Sequence, residues 1–228
     1  TANAILYENA NPIFLDSENE TWLIDLNLLE DTIKKFQPKI LITVDLYGQS
    51  CDYDSINYLC NKYKVKILED AAEALGSSYK RKKCGSFGDA GILSFNGNKI
   101  ITTSAGGMLL SNNKKIIDKS RFFSNQAREN FLHYEHKELG YNYRMSNLLA
   151  AIGRGQLEKI DVFVSKRKNI FKNYYKNLSK IEGIDFMAES PEVQSNRWLT
   201  TFTINPKIIK ITRDQIIEAL EKENIESR

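Results

Sequence analysis

Residues 39–70 read KILITVDLYGQSCDYDSINYLCNKYKVKILED, and this stretch decides the fold. Residues 39–45 and 65–70 are short runs with mostly apolar centres, and apolar residues between them recur at helical spacing. Strands of this composition are expected where helices cover both faces of a parallel sheet. The stretch therefore predicts a strand, a helix and a second strand, joined by the right-handed crossover that such units nearly always have.

The rest of the chain predicts further elements of both kinds. Asp25 and Asp52 stand at N-cap positions, where a side-chain oxygen can accept from the free N–H groups of a first helical turn. The pattern predicts an α/β fold with a large domain over residues 1–150. A long helix, or two helices joined end to end, leads into part of a smaller domain over residues 151–228. Helices are predicted at 1–6, 26–36, after Asp52, and at 114–123, 145–181 and 212–223, strands at 11–15, 91–95, 100–103, 106–111 and 198–204, and a hairpin within 76–88.

The composition is that of an ordinary folded protein and excludes several classes of function. Of 228 residues, 42% are hydrophobic and 27% are charged, and the net charge of +3 is spread over interspersed groups of both signs. Nucleic acid is therefore not an expected partner, because its binding needs a basic stripe. No apolar run has the length of a membrane span, and no secretory pattern is seen, so neither a membrane segment nor a signal peptide is expected.

The cysteines and histidines give no indication of a metal centre. Cys51, Cys60 and Cys84 form no CxxC pair and have no zinc-type spacing, which favours reduced thiols in a cytoplasmic protein. His133 and His136 are three residues apart, but no third ligand follows at a recognisable spacing. We therefore expect no metal site.

Lys99 is the residue from which a chemical function can be argued. It lies in an Asn/Gly turn after the predicted strand at residues 91–95, although a solvated surface lysine is the ordinary alternative. Asp70 ends a predicted buried strand, at the sheet edge where ligands bind in open α/β folds. A lysine can form a Schiff base with a pyridoxal cofactor, whose ring nitrogen needs a facing carboxylate. Ser94 adds a hydroxyl for a cofactor phosphate, and the three residues together favour this chemistry.

Two longer motifs carry a resemblance to a known family. Residues 69–110 read EDAAEALGSSYKRKKCGSFGDAGILSFNGNKIITTSAGGMLL, and residues 139–161 read LGYNYRMSNLLAAIGRGQLEKID, followed by a helix rich in Lys and Arg. The chain resembles the DegT/DnrJ/EryC1/StrS family of pyridoxal phosphate-dependent sugar aminotransferases over essentially its whole length. The likeness is closest to bacterial enzymes that aminate a UDP-linked 4-keto-6-deoxy sugar, of the kind found in Campylobacter protein glycosylation.

The resemblance implies a fold and a set of residue roles. The fold would be that of the fold type I pyridoxal phosphate-dependent transferases, with a mixed, mostly parallel sheet between helices. Lys99 would bind the cofactor and act as the proton-transfer base, whereas the dehydratase members of the family carry His at that position. Asp70 would pair with the pyridine nitrogen. Glu73 would contact the ring hydroxyl, where many relatives have Gln, and Ser94 would bind the phosphate.

The resemblance also implies a second subunit and two substrates. Asn142 would reach the cofactor phosphate of the neighbouring subunit, so that a homodimer would share its active sites. Arg144 is a candidate for the same subunit interface or for a phosphate of the substrate, and Arg228 is a candidate for substrate binding. The amino donor would be glutamate.

A non-catalytic protein that binds a sugar nucleotide or a protein partner with the same fold is the alternative to an enzyme. The presence of Lys99, Asp70 and Ser94 together favours the enzyme. The chain starts at Thr1 rather than Met, and it lacks the family's N-terminal phosphate-contacting turn and its segment after Arg228. We therefore expect a piece of a longer enzyme that by itself is inactive or holds its cofactor weakly.

Overall fold

The computed structural model describes residues 1–228 and has an α/β architecture. The helices are α1 (Ala2–Tyr7), α2 (Leu26–Phe36), α3 (Tyr53–Tyr63), α4 (Lys114–Ser124), α5 (Asn147–Leu157), α6 (Ile160–Leu178) and α7 (Arg213–Lys222). The strands are β1 (Ile40–Val44), β2 (Lys66–Asp70), β3 (Ser78–Tyr79), β4 (Lys82–Lys83), β5 (Ala90–Ser94), β6 (Gly107–Leu110), β7 (Ile184–Phe186), β8 (Val193–Gln194) and β9 (Phe202–Ile204). A 3-10 turn, Leu46–Gly48, follows β1.

A four-stranded sheet in the order β1-β2-β5-β6 forms the centre of the molecule. β1 and β2 pair in parallel, with Val44 opposite Asp70, and β2 and β5 also pair in parallel. β6 closes the sheet in the antiparallel direction, with Gly107 opposite Ser94. The expected mixed, mostly parallel sheet is therefore confirmed.

Two aspartates begin the helices that flank β1, as the sequence predicted. Asp25 Oδ1 accepts from the N–H of Asn27, and Asp52 Oδ1 accepts from the N–H groups of Asp54 and Ser55. Each such cap is worth about 1 kcal/mol. Leu29 of α2 and Ile56 of α3 belong to one buried cluster with Leu41 and Ile67 of the sheet.

The buried strand residues Leu41, Ile67 and Leu93 share one face of the central sheet, as the register of the strands shows. The larger cluster joins α2 and α3 to the sheet, with Leu29 and Ile56 fully buried among its members. The smaller cluster contains Ala71, Leu93 and Phe95, and residues of α6 pack against it. Burial of a large aliphatic side chain contributes about 1.5–3 kcal/mol, so these two clusters hold the helices to the sheet.

Residues 100–103 do not form the predicted strand. β5 pairs instead with β6, and the intervening residues make a loop in which Ile100 and Ile101 are buried. The N–H of Thr103 donates to the carbonyl of Phe95, and Thr102 exchanges hydrogen bonds with the side chain of Gln156. A β-branched run is typical of a strand, but here the side chains of Ile100 and Ile101 fill the core from a loop.

Two other predicted strands are also wrong or too long. Residues 11–15 are irregular, and the nearest pairing is the isolated bridge between Ser17 and Ile24. Of residues 198–204 only β9 is a strand. The hairpin predicted within residues 76–88 is confirmed, because β3 and β4 pair in the antiparallel direction. The two residues of the turn between them, Lys80 and Arg81, both have positive φ.

The helical pattern over residues 145–181 forms two helices, α5 and α6, with a break at Glu158 and Lys159. Beyond them the chain returns to the central body, because β8 pairs with β3 and Met187 joins the larger cluster. The division at residue 150 stays a prediction. None of the helices combines the length and apolar character that crossing a membrane requires.

Candidate active site

Lys99 lies in the loop between β5 and β6, and its side chain is only 12% exposed. Its Nζ is 3.5 Å from Glu73 Oε1 and 4.1 Å from the centre of the Trp198 ring. Lys99 is therefore not the solvated surface lysine that the sequence left open as the ordinary alternative. An amine held between a carboxylate and an aromatic face can bind a carbonyl compound at a fixed place.

Glu73 is held in the turn that follows β2. Its Oε2 accepts from the N–H of Tyr47 at 2.7 Å, which leaves Oε1 turned to Lys99. The side-chain amide of Asn196 donates to the Glu73 carbonyl at 2.8 Å. The two carboxylate oxygens thus have separate partners, which fixes the side chain beside the amine.

Asp70 and Ser94 end neighbouring parallel strands of the central sheet. Asp70 Oδ1 accepts from the N–H of Ala72 at 3.2 Å, and Oδ2 accepts from the hydroxyl of Thr1 at 2.5 Å. Ile92 is opposite Asp70 in the register, so Ser94 lies two residues, or about 7 Å, further along the next strand. Both half-buried side chains therefore end at the carboxyl edge of the sheet, from which the Lys99 loop begins.

The segment 195–198 was missed by the sequence reasoning. Asn196 is fully buried, and its side-chain amide donates to the carbonyls of Glu73 and Leu75 at 2.8 and 2.9 Å. Its Oδ1 accepts from the N–H of Trp198 at 2.8 Å, an Asx turn. An Asn two residues before a Trp is a weak signal of that turn, but nothing in the sequence ties it to Glu73.

Three aromatic rings extend from the lysine towards the outside of the site. Trp198 stacks on Tyr47 with ring centres 6.5 Å apart, and Tyr47 meets Trp22 edge to face at 6.4 Å. Tyr47 has a φ of +53°, a conformation that L residues rarely adopt. In this strained conformation the N–H of Tyr47 points to Glu73 and donates to its Oε2.

The remaining expected site residues make no hydrogen bond or ion pair with this cluster. Asn142 is exposed and forms an isolated bridge with Asn125, and Arg144 and Arg228 are exposed on the surface. None of these three residues forms a hydrogen bond or an ion pair with Lys99. A role for them at the site needs a second subunit or a large substrate.

A second group of ionisable residues lies behind the site. Asp45 and Glu69 are fully buried, and together with Cys84 they place possible ligand atoms within 4.8 Å of one another. Glu69 accepts from the N–H groups of Gly85 and Phe87, whereas Asp45 Oδ2 has no donor. Burial and the negative charge of Glu69 raise the pKa of the Asp45 carboxyl well above its usual range. The raised pKa means that the buried Asp45 carboxyl keeps its proton to a higher pH than an exposed Asp does.

The fold and the lysine beside its carboxylate define a class of protein. A mixed, mostly parallel sheet between helices, with a lysine presented beyond its carboxyl edge, is the arrangement of the fold type I pyridoxal phosphate-dependent transferases. The chain belongs to the DegT/DnrJ/EryC1/StrS aminotransferase family, whose sequence profile matches residues 1–228. The resemblance inferred from the sequence is confirmed.

Curated relatives agree with this assignment. EpsN of Bacillus subtilis is described provisionally as a pyridoxal phosphate-dependent aminotransferase. It is 49% identical over 233 residues, and the match covers 100% of this chain and 59% of EpsN. GDP-perosamine synthase of Escherichia coli O157:H7 is 41% identical over 201 residues, covering 88% of this chain and 54% of that enzyme. A UDP-4-amino-4,6-dideoxy-N-acetyl-beta-L-altrosamine transaminase of Campylobacter jejuni is 35% identical over 224 residues, covering 96% of this chain and 59% of that enzyme.

A solved structure shows the same fold. Helicobacter pylori PseC, an aminotransferase involved in the biosynthesis of pseudoaminic acid, superposes with a TM-score of 0.89 at 29% identity. The match covers 98% of this chain and 60% of PseC. The chain thus spans between 54% and 60% of the length of these relatives.

Proposed function

We propose that the protein carrying this chain is a pyridoxal phosphate-dependent aminotransferase that moves an amino group from glutamate to a 4-keto-6-deoxy nucleotide sugar. The observation that carries the proposal is the amine of Lys99, held within 3.5 Å of Glu73 next to the strand ends of Asp70 and Ser94. The names of the Escherichia coli and Campylobacter relatives concern amino sugars linked to a nucleotide, which supports the substrate class.

The residues at this edge fit pyridoxal phosphate by their chemistry. Lys99 offers a largely buried primary amine for the cofactor's aldehyde, and Asp70 offers a carboxylate for the pyridine nitrogen. Glu73 can meet the ring hydroxyl, and the hydroxyl of Ser94 can donate to the phosphate. When bound, the cofactor supplies an electron sink that stabilises the negative charge left by proton removal.

Asp70, Lys99 and Glu73 would then each have a separate role in the reaction. Asp70 keeps the ring nitrogen protonated, because a carboxylate within reach favours the charged form. Lys99 would take the proton from the substrate carbon with its neutral amine and would later give a proton back from the ammonium. Glu73 keeps Lys99 in place while its other oxygen stays bonded to Tyr47.

The surface residues enter the proposal through a second subunit. We propose a homodimer in which Asn142 reaches the partner's cofactor phosphate, and in which Arg144 and Arg228 meet the phosphates of the nucleotide sugar. Their exposure leaves them free for such contacts. Arginine suits the last role because its planar fork can bind phosphate oxygens in pairs.

We further propose that the reaction takes place in the cytoplasm. Cys51, Cys60 and Cys84 are buried and unpaired, as is expected of thiols in a reducing compartment.

A nitrogen-transfer assay tests the proposed function. The protein is incubated with pyridoxal phosphate, ¹⁵N-glutamate and a panel of UDP- and GDP-linked 4-keto-6-deoxy sugars, and mass spectrometry detects the label in the sugar. We expect transfer to at least one panel member, reduced at least about a hundredfold in Lys99→Arg, because the proton-transfer base is lost. Lys172→Arg, an exposed position on α6, is the matched control. Binding of the sugars without transfer of nitrogen would support the non-catalytic alternative instead.

A further inference from the structure

Trp198 is fixed against Lys99 from several sides. The ring is 4% exposed, and its Nε1 donates to the carbonyl of Asn98, the residue before the lysine, at 2.6 Å. Its backbone N–H donates to Asn196, and its face stacks on Tyr47. The ring therefore cannot turn away without breaking a half-buried hydrogen bond to the loop that carries the lysine.

The Lys99 amine meets two groups that attract a cation. The centre of the Trp198 ring is 4.1 Å from Nζ, within the range of a cation–π contact, and Trp is the aromatic residue that makes this contact best. Glu73 Oε1 is 3.5 Å from the same nitrogen. With 12% of the lysine side chain exposed, water weakens these attractions little.

We propose that Trp198 is a positioning residue: whenever the Lys99 amine is not bonded to the cofactor, the Trp198 ring face and Glu73 hold the lysine side chain, and they stabilise the ammonium that forms once the amine has accepted a proton. The inference rests on the proposed function. Lys99 would hold the cofactor through its nitrogen, and a neutral donor amine that took this place would pass one proton to that nitrogen, so that Lys99 would be freed as a neutral amine able to accept the proton of the substrate carbon. The released lysine must then stay within reach to move the next proton, and Trp198 keeps it there.

A measurement without cofactor tests the contact itself. The chain has two tryptophans, so Trp22→Phe leaves Trp198 as the single indole emitter, and Trp198→Phe leaves Trp22. An ammonium against an excited indole quenches its fluorescence by proton transfer. We expect Lys99→Met to raise the emission in the Trp22→Phe background and to leave it unchanged in the Trp198→Phe background. Equal responses in the two backgrounds would overturn the inference.

A kinetic measurement tests the role. We expect Trp198→Leu to lower kcat about five- to thirtyfold with little change in KM, the range that follows from the energy of a desolvated cation–π contact. Trp198→Phe, which keeps a ring face, should recover most of the loss. Tyr58→Leu, which removes an exposed ring on α3 outside the site, should keep the wild-type kcat.

The two proposals fail in different ways. If the unaltered protein transfers no nitrogen, the proposed function fails, and the fluorescence comparison still decides whether Trp198 holds the ammonium. If the unaltered protein is active but Trp198→Leu keeps its kcat, the positioning role of Trp198 is wrong and the proposed function stands.

Discussion

Replacing Asn196 with Ala should loosen the connection between the turn of Glu73 and the segment of Trp198. The side chain makes three hydrogen bonds, to the carbonyls of Glu73 and Leu75 and from the N–H of Trp198, at 2.8–2.9 Å. Asn196 is fully buried, so water cannot easily replace these bonds. The variant therefore leaves three backbone groups without their partner.

The size of the loss can be estimated from those three bonds. Each contributes about 1 kcal/mol net, so Asn196→Ala should lower the free energy of unfolding by about 3 kcal/mol. With an m-value of about 3 kcal/mol per molar urea, the urea midpoint should fall by about 1 M.

Urea unfolding followed by circular dichroism measures this shift. Asn177→Ala is the matched control, since the Asn177 amide makes one bond, to the carbonyl of Asn173 on an exposed face of α6. The control should move the midpoint by less than about 0.2 M, as surface substitutions usually do. If Asn196→Ala moves the midpoint no more than Asn177→Ala does, the connecting role of Asn196 is refuted.

Two further substitutions test the surroundings of the site. Gly48→Ala should destabilise the protein by about 2–4 kcal/mol in thermal unfolding, because Gly48 has a φ of +87° and a Cβ would lie 1.8 Å from Asn196 Oδ1. Asp45→Asn should flatten the pH dependence of stability, measured as the urea midpoint between pH 4 and 8. Because the folded-state pKa of Asp45 is raised, wild-type stability falls as pH rises from the unfolded value of about 4 towards that raised pKa, and the amide removes this fall.

Each of these has a clear contrary result. A Gly48→Ala protein that unfolds at the wild-type temperature would contradict the close approach of Asn196. A pH dependence of stability that is unchanged in Asp45→Asn would contradict the raised pKa of the Asp45 carboxyl.

The parts of the fold that depend on neighbours in sequence could be predicted. The caps at Asp25 and Asp52 depend on side chains that reach N–H groups two or three residues away, so the sequence contains all that is needed. The strand, helix and strand over residues 39–70 were likewise indicated by their own apolar pattern. Residues 100–103 show the limit, because an apolar run has the same pattern in a buried loop as in a strand.

The candidate site divides in the same way. Lys99, Asp70 and Ser94 could be proposed because strand ends in an open α/β sheet meet at one edge. The contact of Lys99 with Trp198 could not, because 99 residues separate them and their meeting depends on the return of the chain that pairs β8 with β3. Long-range contacts of this kind need the whole fold.

The most direct test of the central claim is to map where pyridoxal phosphate attaches. The protein is incubated with the cofactor, the carbon–nitrogen bond is fixed by borohydride reduction, and the labelled peptide is identified by mass spectrometry. We expect one label at Lys99, lost in Lys99→Arg and kept in Lys172→Arg. Label spread over exposed lysines, or of equal yield in Lys99→Arg, would contradict the assignment of Lys99 as the cofactor-binding residue.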